Sequence, residues 1–360
     1  MGAEPALFTR LMPKANAWAL AAVSTMMAAW PGVPAGVEVG LRVQLPDAPE
    51  SVAFGPGGRL FATLYDDAAV VEILPGGSFR TVATLPGRSD SVVGHALGIA
   101  SGPDGKLYVA YRQRSSRDAD DFRDPNHPAC RDATILHSGV YRVDPDSGAV
   151  EVLATRAEGW PVCFPNGIAV DARGDVYVAD FTYAGIWRLR PGEAPELWSD
   201  HPLLNWAPAP WSLAPFGVNA IALDAGGGAI VAGTVGTPRV LRIRIGKDGR
   251  ATEPEIIQSD GGPTDGVAVA SDGTVFTSEI ARNEIWALSA DGSQRYLVAS
   301  SRTAPLDGNA GLAISDQMLC VANLGFPKTD RGMKDRTVVC LDGVRPVWHA
   351  GSHSAPAKRP

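Results

Sequence analysis

Six segments of the chain repeat one pattern of apolar and polar positions. In each segment, a small residue precedes alternating apolar positions, a turn with Gly or Asp follows, and a second alternating stretch ends near a polar residue. The segments begin at Pro49, Ala96, Pro165, Val218, Thr264 and Asn309. Alternation with a period of two residues on both sides of such a turn predicts a β-hairpin in every segment.

Each hairpin is followed by a third alternating stretch, such as residues 284–288, and usually by a fourth, such as residues 295–299. The regular repeats are about 45 to 50 residues apart, which is the length of a four-stranded blade. Four strands repeated six times indicate an all-β fold, a six-bladed β-propeller with four-stranded blades around a central channel.

Three repeats carry insertions, at residues 112–137 in blade 2, 201–217 after blade 3 and 324–336 in blade 6. Consecutive strands run antiparallel, so the turns into each innermost strand and the turns between second and third strands lie on one face. All three insertions fall on that face. Long loops gathered on one face of a propeller predict the functional face.

One position of the repeat is predicted to surround the mouth of the central channel. Aligned across the six repeats, this position is occupied by Glu50, Leu97, Asn166, Asn219, Asp265 and Ala310. The residue after it is always small: Ser51, Gly98, Gly167, Ala220, Gly266 and Gly311. Six strands that converge on one axis leave little space for a side chain there, which explains the small residues.

Four of the six channel positions carry side-chain oxygens, from two carboxylates and two amides. An all-oxygen set with two negative charges is typical of a hard divalent cation, and calcium is the first expectation. The alternative is that Asn and Asp are ordinary turn residues here and that Glu50 is a surface residue. Recurrence of polar residues at one position in four repeats favours the metal site.

The segments PESVAF, FPNGIAV, GVNAIAL and PTDGVAV resemble the ligand-bearing strands of calcium-dependent six-bladed propellers. These form the senescence marker protein (regucalcin) and gluconolactonase family, with paraoxonases and strictosidine synthases as distant relatives, and the resemblance extends from about Pro46 to Trp348. It implies that Glu50, Asn166, Asn219 and Asp265 bind the metal, and that the protein is a calcium-dependent hydrolase of a lactone or related ester.

Two alternatives remain on the same scaffold. Strictosidine synthases share the fold but perform a metal-independent condensation that uses a Glu, so a condensing enzyme or a lyase is one alternative. A propeller that binds a ligand without catalysis is the other, because the fold alone does not determine the function. The oxygen-rich channel favours the hydrolase.

Asp265 is the first choice for the general base and His95 is the second. Paraoxonase-like enzymes carry a His at the blade 2 channel position, where this chain has Leu97, so their His pair is not transferable. The alternative for His95 is a loop residue without a catalytic role. His127 and His137 are weaker candidates.

Other residues are candidates for the lining of the site, although each is also explained as a turn residue. They are Asp66, Asp180, Glu279 and Asn323. Trp206, Trp211 and Phe216 in the insertion after blade 3 are expected either to form an apolar wall for a substrate or only to anchor their own loop.

Composition and charge limit the function classes. The chain has 360 residues, of which 45% are hydrophobic and 20% are charged, and this predicts a globular protein. Its formal net charge of −7 comes without a cluster of Lys and Arg, so we expect a small-molecule substrate and no nucleic acid. We also expect a monomer.

Residues 1–35 are predicted to be a signal peptide. Arg10 and Lys14 precede a mostly apolar stretch at residues 15–30, and small residues at 33–35 offer a cleavage site. The apolar stretch is shorter than a bilayer requires, although an uncleaved anchor is the alternative. The propeller is expected at residues 36–350, followed by a flexible tail at 351–360, in an exported protein that is free of the membrane after cleavage.

An oxidising compartment favours disulfides for the four cysteines. Only the pairing Cys130–Cys163 with Cys320–Cys340 keeps both bridges local, and the alternative is four free thiols in a protein that is not exported.

A propeller must also join its first and last blades. Residues 37–45 alternate like an outer strand and are expected to pair with blade 6. The alternative is that residues 345–349 complete that blade.

Overall fold

The structure is a computed structural model, and it describes residues 37–86, 92–115, 137–157, 160–162, 164–205, 216–316, 318–325, 335–346 and 348. The first strand is β1 (Glu38–Gln44). Blade 1 consists of β2 (Pro49–Phe54), β3 (Leu60–Leu64), β4 (Ala69–Ile73) and β5 (Phe79–Thr84). Blade 2 consists of β6 (Val92–Ser101), β7 (Leu107–Ser115), β8 (Gly139–Val143) and β9 (Val150–Ala154).

A short hairpin of β10 (Arg156–Ala157) and β11 (Trp160–Pro161) leads to blade 3. Blade 3 consists of β12 (Pro165–Val170), β13 (Val176–Asp180), β14 (Gly185–Leu189) and β15 (Glu196–Ser199). Blade 4 consists of β16 (Val218–Leu223), β17 (Ala229–Thr234), β18 (Arg239–Arg244) and β19 (Glu255–Gln258). Blade 5 consists of β20 (Thr264–Val269), β21 (Val275–Glu279), β22 (Glu284–Leu288) and β23 (Arg295–Ser300). Blade 6 contains β24 (Asn309–Ser315), β25 (Met318–Asn323) and β26 (Thr337–Asp342).

The described residues form six antiparallel sheets of four strands, and the predicted all-β six-bladed propeller is therefore confirmed. The helical content of this part of the chain is two single 3-10 turns, Pro56–Gly58 and Pro202–Leu204, and neither could cross a membrane. The third and fourth strands that the sequence predicts, at residues 284–288 and 295–299, match β22 and β23 to within one residue.

The hydrophobic core is divided among the blade interfaces. Both faces of each sheet pack against a neighbouring blade, and buried apolar clusters lie between blades 1 and 2, 2 and 3, 3 and 4, 4 and 5, 5 and 6, and 6 and 1. Both faces of the second strands are therefore buried, and for this reason their sequences are continuous apolar runs.

The ring closes through the N-terminal strand. β1 pairs antiparallel with β26 and takes the outermost place in blade 6, so that Val43 lies opposite Val338 and Leu41 lies opposite Cys340. The predicted closure is confirmed. Arg345 instead donates from Nε to the carbonyl of Asp316 at 2.8 Å, outside the sheet.

A disulfide joins Cys320 on β25 to Cys340 on β26, as the sequence predicts. The two residues are direct cross-strand partners with a Cα–Cα distance of 3.9 Å. The predicted partner bridge, Cys130–Cys163, lies outside the described residues. The same holds for the predicted signal peptide at residues 1–35 and the tail at 351–360.

Candidate functional site

The four polar channel residues occupy equivalent places in four blades. Glu50, Asn166, Asn219 and Asp265 are each the second residue of an innermost strand, namely β2, β12, β16 and β20. The pairing between the first and second strands shifts register at this position in all six blades. Such β-bulges redirect side chains, and they occur often beside functional sites. The repeat pattern did not reveal these bulges.

The small residue after each bulge is required by close packing between blades. A Cβ atom added to Gly98 would lie 2.1 Å from the backbone oxygen of Asn166, and one added to Gly167 would lie 2.5 Å from that of Asn219. Real Cβ atoms do not approach backbone oxygens so closely. The glycines therefore allow the innermost strand of one blade to contact the channel-position residue of the next blade.

The four polar side chains interact in order from Glu50 to Asp265. Asn166 lies beside the carboxylate of Glu50, where it lowers the pKa of that group, and it donates from Nδ2 to Oδ1 of Asn219. Asn219 in turn donates from Nδ2 to Oδ1 of Asp265 at 3.0 Å. The alignment of the repeats thus identified four residues that meet at the channel mouth.

This chain of side chains is buried and carries two carboxyl groups. Glu50 is 5% exposed, and its Oε2 has no hydrogen-bond partner among the described residues. Burial raises the pKa of Glu50 well above its usual range, and the charge of Asp265 adds to the rise. Asp265 is partly exposed to the cavity but enclosed by strand ends, and this burial raises its pKa to about 7 although Asn219 donates to it.

A cavity of about 440 Å³ lies over the polar side chains on the face of the three insertions. Its lining residues are Ala48, Glu50, Tyr65, Asp66, Leu97, Phe164, Asn166, Phe181, Phe216, Asn219, Val235, Asp265, Ile280, Leu324, Gly325 and Arg336. The cavity therefore has a polar floor and mostly apolar walls.

Comparison with known proteins identifies relatives of this fold. The sequence profile of the NHL repeat matches residues 162–184, which include the first two strands of blade 3. Gluconolactonase from Xanthomonas campestris is 13% identical, with a TM-score of 0.59 over 87% of this chain and 97% of that one. The chain is therefore similar in fold to this gluconolactonase.

Other propellers of different activity are similar in structure. The PQQ-bound aldose sugar dehydrogenase from Streptomyces coelicolor is 18% identical, with a TM-score of 0.55 over 85% of this chain and 98% of that one. Virginiamycin B lyase from Staphylococcus aureus, in an inactive form with quinupristin, is 12% identical, with a TM-score of 0.52 over 85% and 99%. No curated protein sequence matches the chain. At these identities the likeness establishes the propeller fold alone.

His95 does not line the cavity of the propeller. Strands β6 and β7 are longer than their counterparts, and His95 lies on the extension, where it is 2% exposed. Its ring stacks on Tyr65 with a centroid distance of 4.1 Å, and its Nδ1 lies 3.4 Å from Oδ1 of Asp66. Tyr65 and Asp66 both line the cavity, so His95 lies one layer behind the wall.

The remaining predicted lining residues divide into two groups. Asp66 and Phe216 line the cavity. Asp180 caps its turn by accepting from the backbone N–H of Thr182 and Tyr183, while Asn323 is bonded within blade 6. Buried Glu279 forms ion pairs with two arginines. His137 is not among the lining residues, and His127, Trp206 and Trp211 lie outside the described residues.

An apolar ring above the polar floor was missed in the sequence. In five blades, the residue that directly follows the second strand lines the cavity, and these residues are Tyr65, Phe181, Val235, Ile280 and Leu324. All five are apolar or aromatic at a turn position where polar residues are usual. Alignment of the repeats one residue beyond the second strand would have shown this ring, whereas the sequence analysis selected nearby polar residues.

Proposed function

We propose that the protein is a calcium-dependent hydrolase of a lactone or related ester, with its active site in the cavity over Glu50, Asn166, Asn219 and Asp265. The observation that carries this proposal is the buried Glu50 Oε2, which has no hydrogen-bond partner among the described residues although it belongs to a converging set of oxygen ligands. The gluconolactonase activity named for a structural neighbour gives it additional support.

The donor set fits a hard cation. The described residues hold no cluster of three or more His, Cys, Asp and Glu side chains, so the ligand set is limited to two carboxylates and two amides. These are the ligand types that calcium accepts, with water completing its coordination. Burial raises the pKa of both carboxyl groups, and a divalent cation would favour their ionised forms.

When bound, calcium supplies positive charge that polarises an ester carbonyl and stabilises the negative charge that develops on its oxygen. Asp265 borders the cavity and is assigned the role of general base, because its carboxylate reaches the cavity and can accept a proton from water there. Asp265 accepts a proton from water as the water oxygen bonds to the carbonyl carbon, the ring C–O bond breaks, and the leaving oxygen takes that proton from Asp265.

The cavity walls contribute by excluding bulk water from this reaction. Phe181 and Phe216 stack with a centroid distance of 4.3 Å beside the polar floor. His95 lies behind the cavity wall, so it does not reach a substrate directly. We retain it as the second candidate base only because its Nδ1 pairs with Asp66, which lines the cavity. Asp66→Asn should then reduce turnover without affecting calcium binding.

Metal analysis and a substrate panel test the proposal. The purified protein should contain close to one calcium ion, hydrolyse members of a panel of lactones and aryl esters, lose this activity with a chelator and regain it with calcium. In isotopically labelled water, hydrolysis puts one labelled oxygen into the product, whereas a lyase or condensing enzyme does not. Metal-free protein with chelator-resistant activity, or binding without turnover, would contradict the proposal.

A further inference from the structure

We infer that the cavity is built for an amphipathic organic anion, which places an apolar ring or chain against the wall formed by Phe164, Phe181 and Phe216 and a carboxylate at Arg336. The inference names the substrate class of the site and rests on the proposed function for its reaction, but not for ligand binding itself.

The three phenylalanines form a continuous aromatic wall on the side of blade 3. Phe164 precedes β12, Phe181 follows β13, and Phe216 precedes β16. Phe164 meets Phe181 edge to face at 5.3 Å, and Phe181 stacks on Phe216 at 4.3 Å. Together with Leu97 and Ala110 these rings form a separate apolar cluster above the blade cores. Such a wall gains free energy from covering an apolar surface of the ligand.

The apolar ring formed by the residues after the second strands makes the rest of the cavity wall apolar as well. A sugar lactone carries hydroxyl groups on most of its carbons, and each one that enters an apolar site without a partner loses hydrogen bonds to water. Above the polar floor, the described lining offers few donors or acceptors to compensate. The walls therefore select an apolar body over a polyhydroxylated one.

Arg336 is the one cationic side chain among the described lining residues. It lies just before β26, and its side chain is 47% exposed. Its backbone carbonyl accepts from the N–H of Leu45 at 2.8 Å, which fixes its position at the junction of blades 6 and 1. This is the part of the cavity where an anion would be favoured.

The guanidinium of Arg336 keeps donors for a ligand. Nη1 donates to the carbonyl of Pro46 at 3.2 Å, and the described residues provide no hydrogen bond to Nη2 or Nε. Asp47 is only a distant partner, with Oδ1 at 3.9 Å from Nη1, and its Oδ2 accepts the backbone N–H groups of Asp66 and Asp67. A guanidinium whose Nη2 and Nε have no partner among the described residues matches the geometry of a carboxylate.

The order of the blades places the two features on opposite sides of the cavity. The innermost strands contact their neighbours in a closed ring, so blade 3 is separated from blade 6 by two blades in either direction. The phenylalanine wall therefore lies across the axis from Arg336, with the polar floor between them. A ligand that satisfies both must be apolar at one end and anionic at the other.

Binding of three small probes to the protein, measured with calcium and again with a chelator, tests this inference. Phenylbutyrate has both features, phenylbutyramide lacks the charge, and gluconate has the carboxylate on a hydroxylated chain. By calorimetry, the wild-type protein should bind phenylbutyrate about tenfold more tightly than either of the other two. Equal binding of phenylbutyrate and its amide, or tighter binding of gluconate, would overturn the inference.

Variants of Arg336 and Phe216 test which residue binds which end of the ligand. Arg336→Gln should weaken phenylbutyrate binding about tenfold and leave the amide unchanged, whereas Arg336→Lys should retain most of the difference. Phe216→Ala should weaken both ligands by a similar factor. Arg345→Gln, which lies outside the cavity, is the matched control and should bind like the wild type. Loss of amide binding in Arg336→Gln would show a general disruption and count against a charge-specific role.

The binding experiment and the hydrolysis experiment can fail independently of each other. If the protein binds phenylbutyrate selectively through Arg336 but hydrolyses no lactone, the ligand class stands and the hydrolase proposal fails. If it hydrolyses neutral sugar lactones in a calcium-dependent manner and does not distinguish phenylbutyrate from its amide, the hydrolase proposal stands and the ligand class fails.

Discussion

Asn219 donates a hydrogen bond from Nδ2 to Oδ1 of Asp265 at 3.0 Å and thereby joins the innermost strands of blades 4 and 5 at the channel mouth. The same Asn219 accepts from Asn166. One amide thus links the carboxyl group of Asp265 to the channel-position residue of blade 3. The charge of Asp265 still acts on Glu50 across these amides and adds to the rise of its pKa.

Asp265→Asn should separate calcium binding from folding. The substitution removes one unit of ligand charge but preserves the acceptor oxygen for Asn219, so calcium affinity should fall more than tenfold and turnover should be lost. Without calcium, the variant should be at least as stable as the wild type at pH 8, because a neutral amide is less costly to bury than a carboxylate. Calcium titration and thermal melting measure the two effects.

Glu50→Gln should behave in the same way. Asp66→Asn is the matched control, because Asp66 lines the same cavity with 62% of its side chain exposed but does not belong to the polar floor. It should bind calcium as the wild type does. Wild-type affinity in Asp265→Asn or Glu50→Gln would remove that residue from the ligand set.

Calcium affinity should rise with pH through neutrality. The folded-state pKa of Asp265 is raised to about 7, whereas an unfolded Asp has a pKa of about 4. This group therefore contributes most to the stability of the calcium-free fold at low pH, and that contribution is lost as pH rises through 7. Calcium requires the ionised form, so its affinity should be weaker at about pH 6 than at about pH 8.

Calorimetry in buffers of different ionisation enthalpy should detect protons released on calcium binding near neutral pH. The double variant Glu50→Gln with Asp265→Asn removes both titrating groups and should show no such release. Equal calcium affinity of the wild type at both pH values would contradict ionisation of Asp265 as the coupled event.

The sequence predicted the fold closely because the propeller repeats one local pattern. The Gly-bearing hairpins, the small residue after each channel position and the alternation of residues 37–45 are all local signals, and each matches the structure. Channel positions such as Glu50 and Asp265 followed from alignment of the repeats alone. The hairpins and channel positions recur in every blade, so the internal repeats of a single sequence are enough to reveal them.

The cavity walls were less predictable because they break the symmetry. Arg336 lies at the end of the blade 6 insertion. Phe164 directly precedes the first strand of blade 3, and the other blades have no phenylalanine, tyrosine or tryptophan at that position. Alignment of the repeats therefore identifies neither residue. The extension of β6 and β7 is likewise specific to blade 2, and it moves His95 behind Tyr65. Which side chains reach the cavity depends on such individual loops, and their conformations have no counterpart in the other repeats.

Closure of the ring should depend on the buried side of β1. Val43 is 1% exposed in the core between blades 6 and 1, whereas Val39 on the same strand is 45% exposed. Val43→Ala should reduce the free energy of unfolding by about 2 kcal/mol, because it removes buried methyl groups and leaves a cavity. Val39→Ala is the control and should be close to neutral. Urea unfolding of both variants measures the difference, and equal effects would mean that β1 does not seal the ring.

The disulfides should be detectable by peptide mapping without reduction. Cys320 and Cys340 should appear in one linked peptide pair, and Cys130 and Cys163 in another if the prediction for the region outside the described residues is right. Replacing Cys320 and Cys340 together by Ala should cost about 3 kcal/mol, because the bridge closes a loop of 20 residues in the unfolded chain. Four alkylatable thiols in protein from its native compartment would contradict both bridges and the predicted export.

Gly98→Ala should damage both the fold and the site, because the added methyl group has no space. Its Cβ would lie 2.1 Å from the backbone oxygen of Asn166, and this contact is with backbone atoms of the next blade, which cannot rotate away. Blades 2 and 3 would have to separate, at a cost of about 3 kcal/mol in the free energy of unfolding. The shift would displace Asn166, so calcium affinity should fall as well.

Gly228→Ala provides the matched control for this substitution. It places the same methyl group on a hairpin turn in blade 4, where no atom lies within 4 Å of the added Cβ. Its stability should stay within about 0.5 kcal/mol of the wild type, and its calcium affinity should be unchanged. Urea unfolding and calcium titration of the two variants test close packing at the channel mouth directly. If Gly98→Ala were as stable as Gly228→Ala and bound calcium equally well, the innermost strands could not approach each other as the structure shows, and the small residue at this position in every blade would need another explanation.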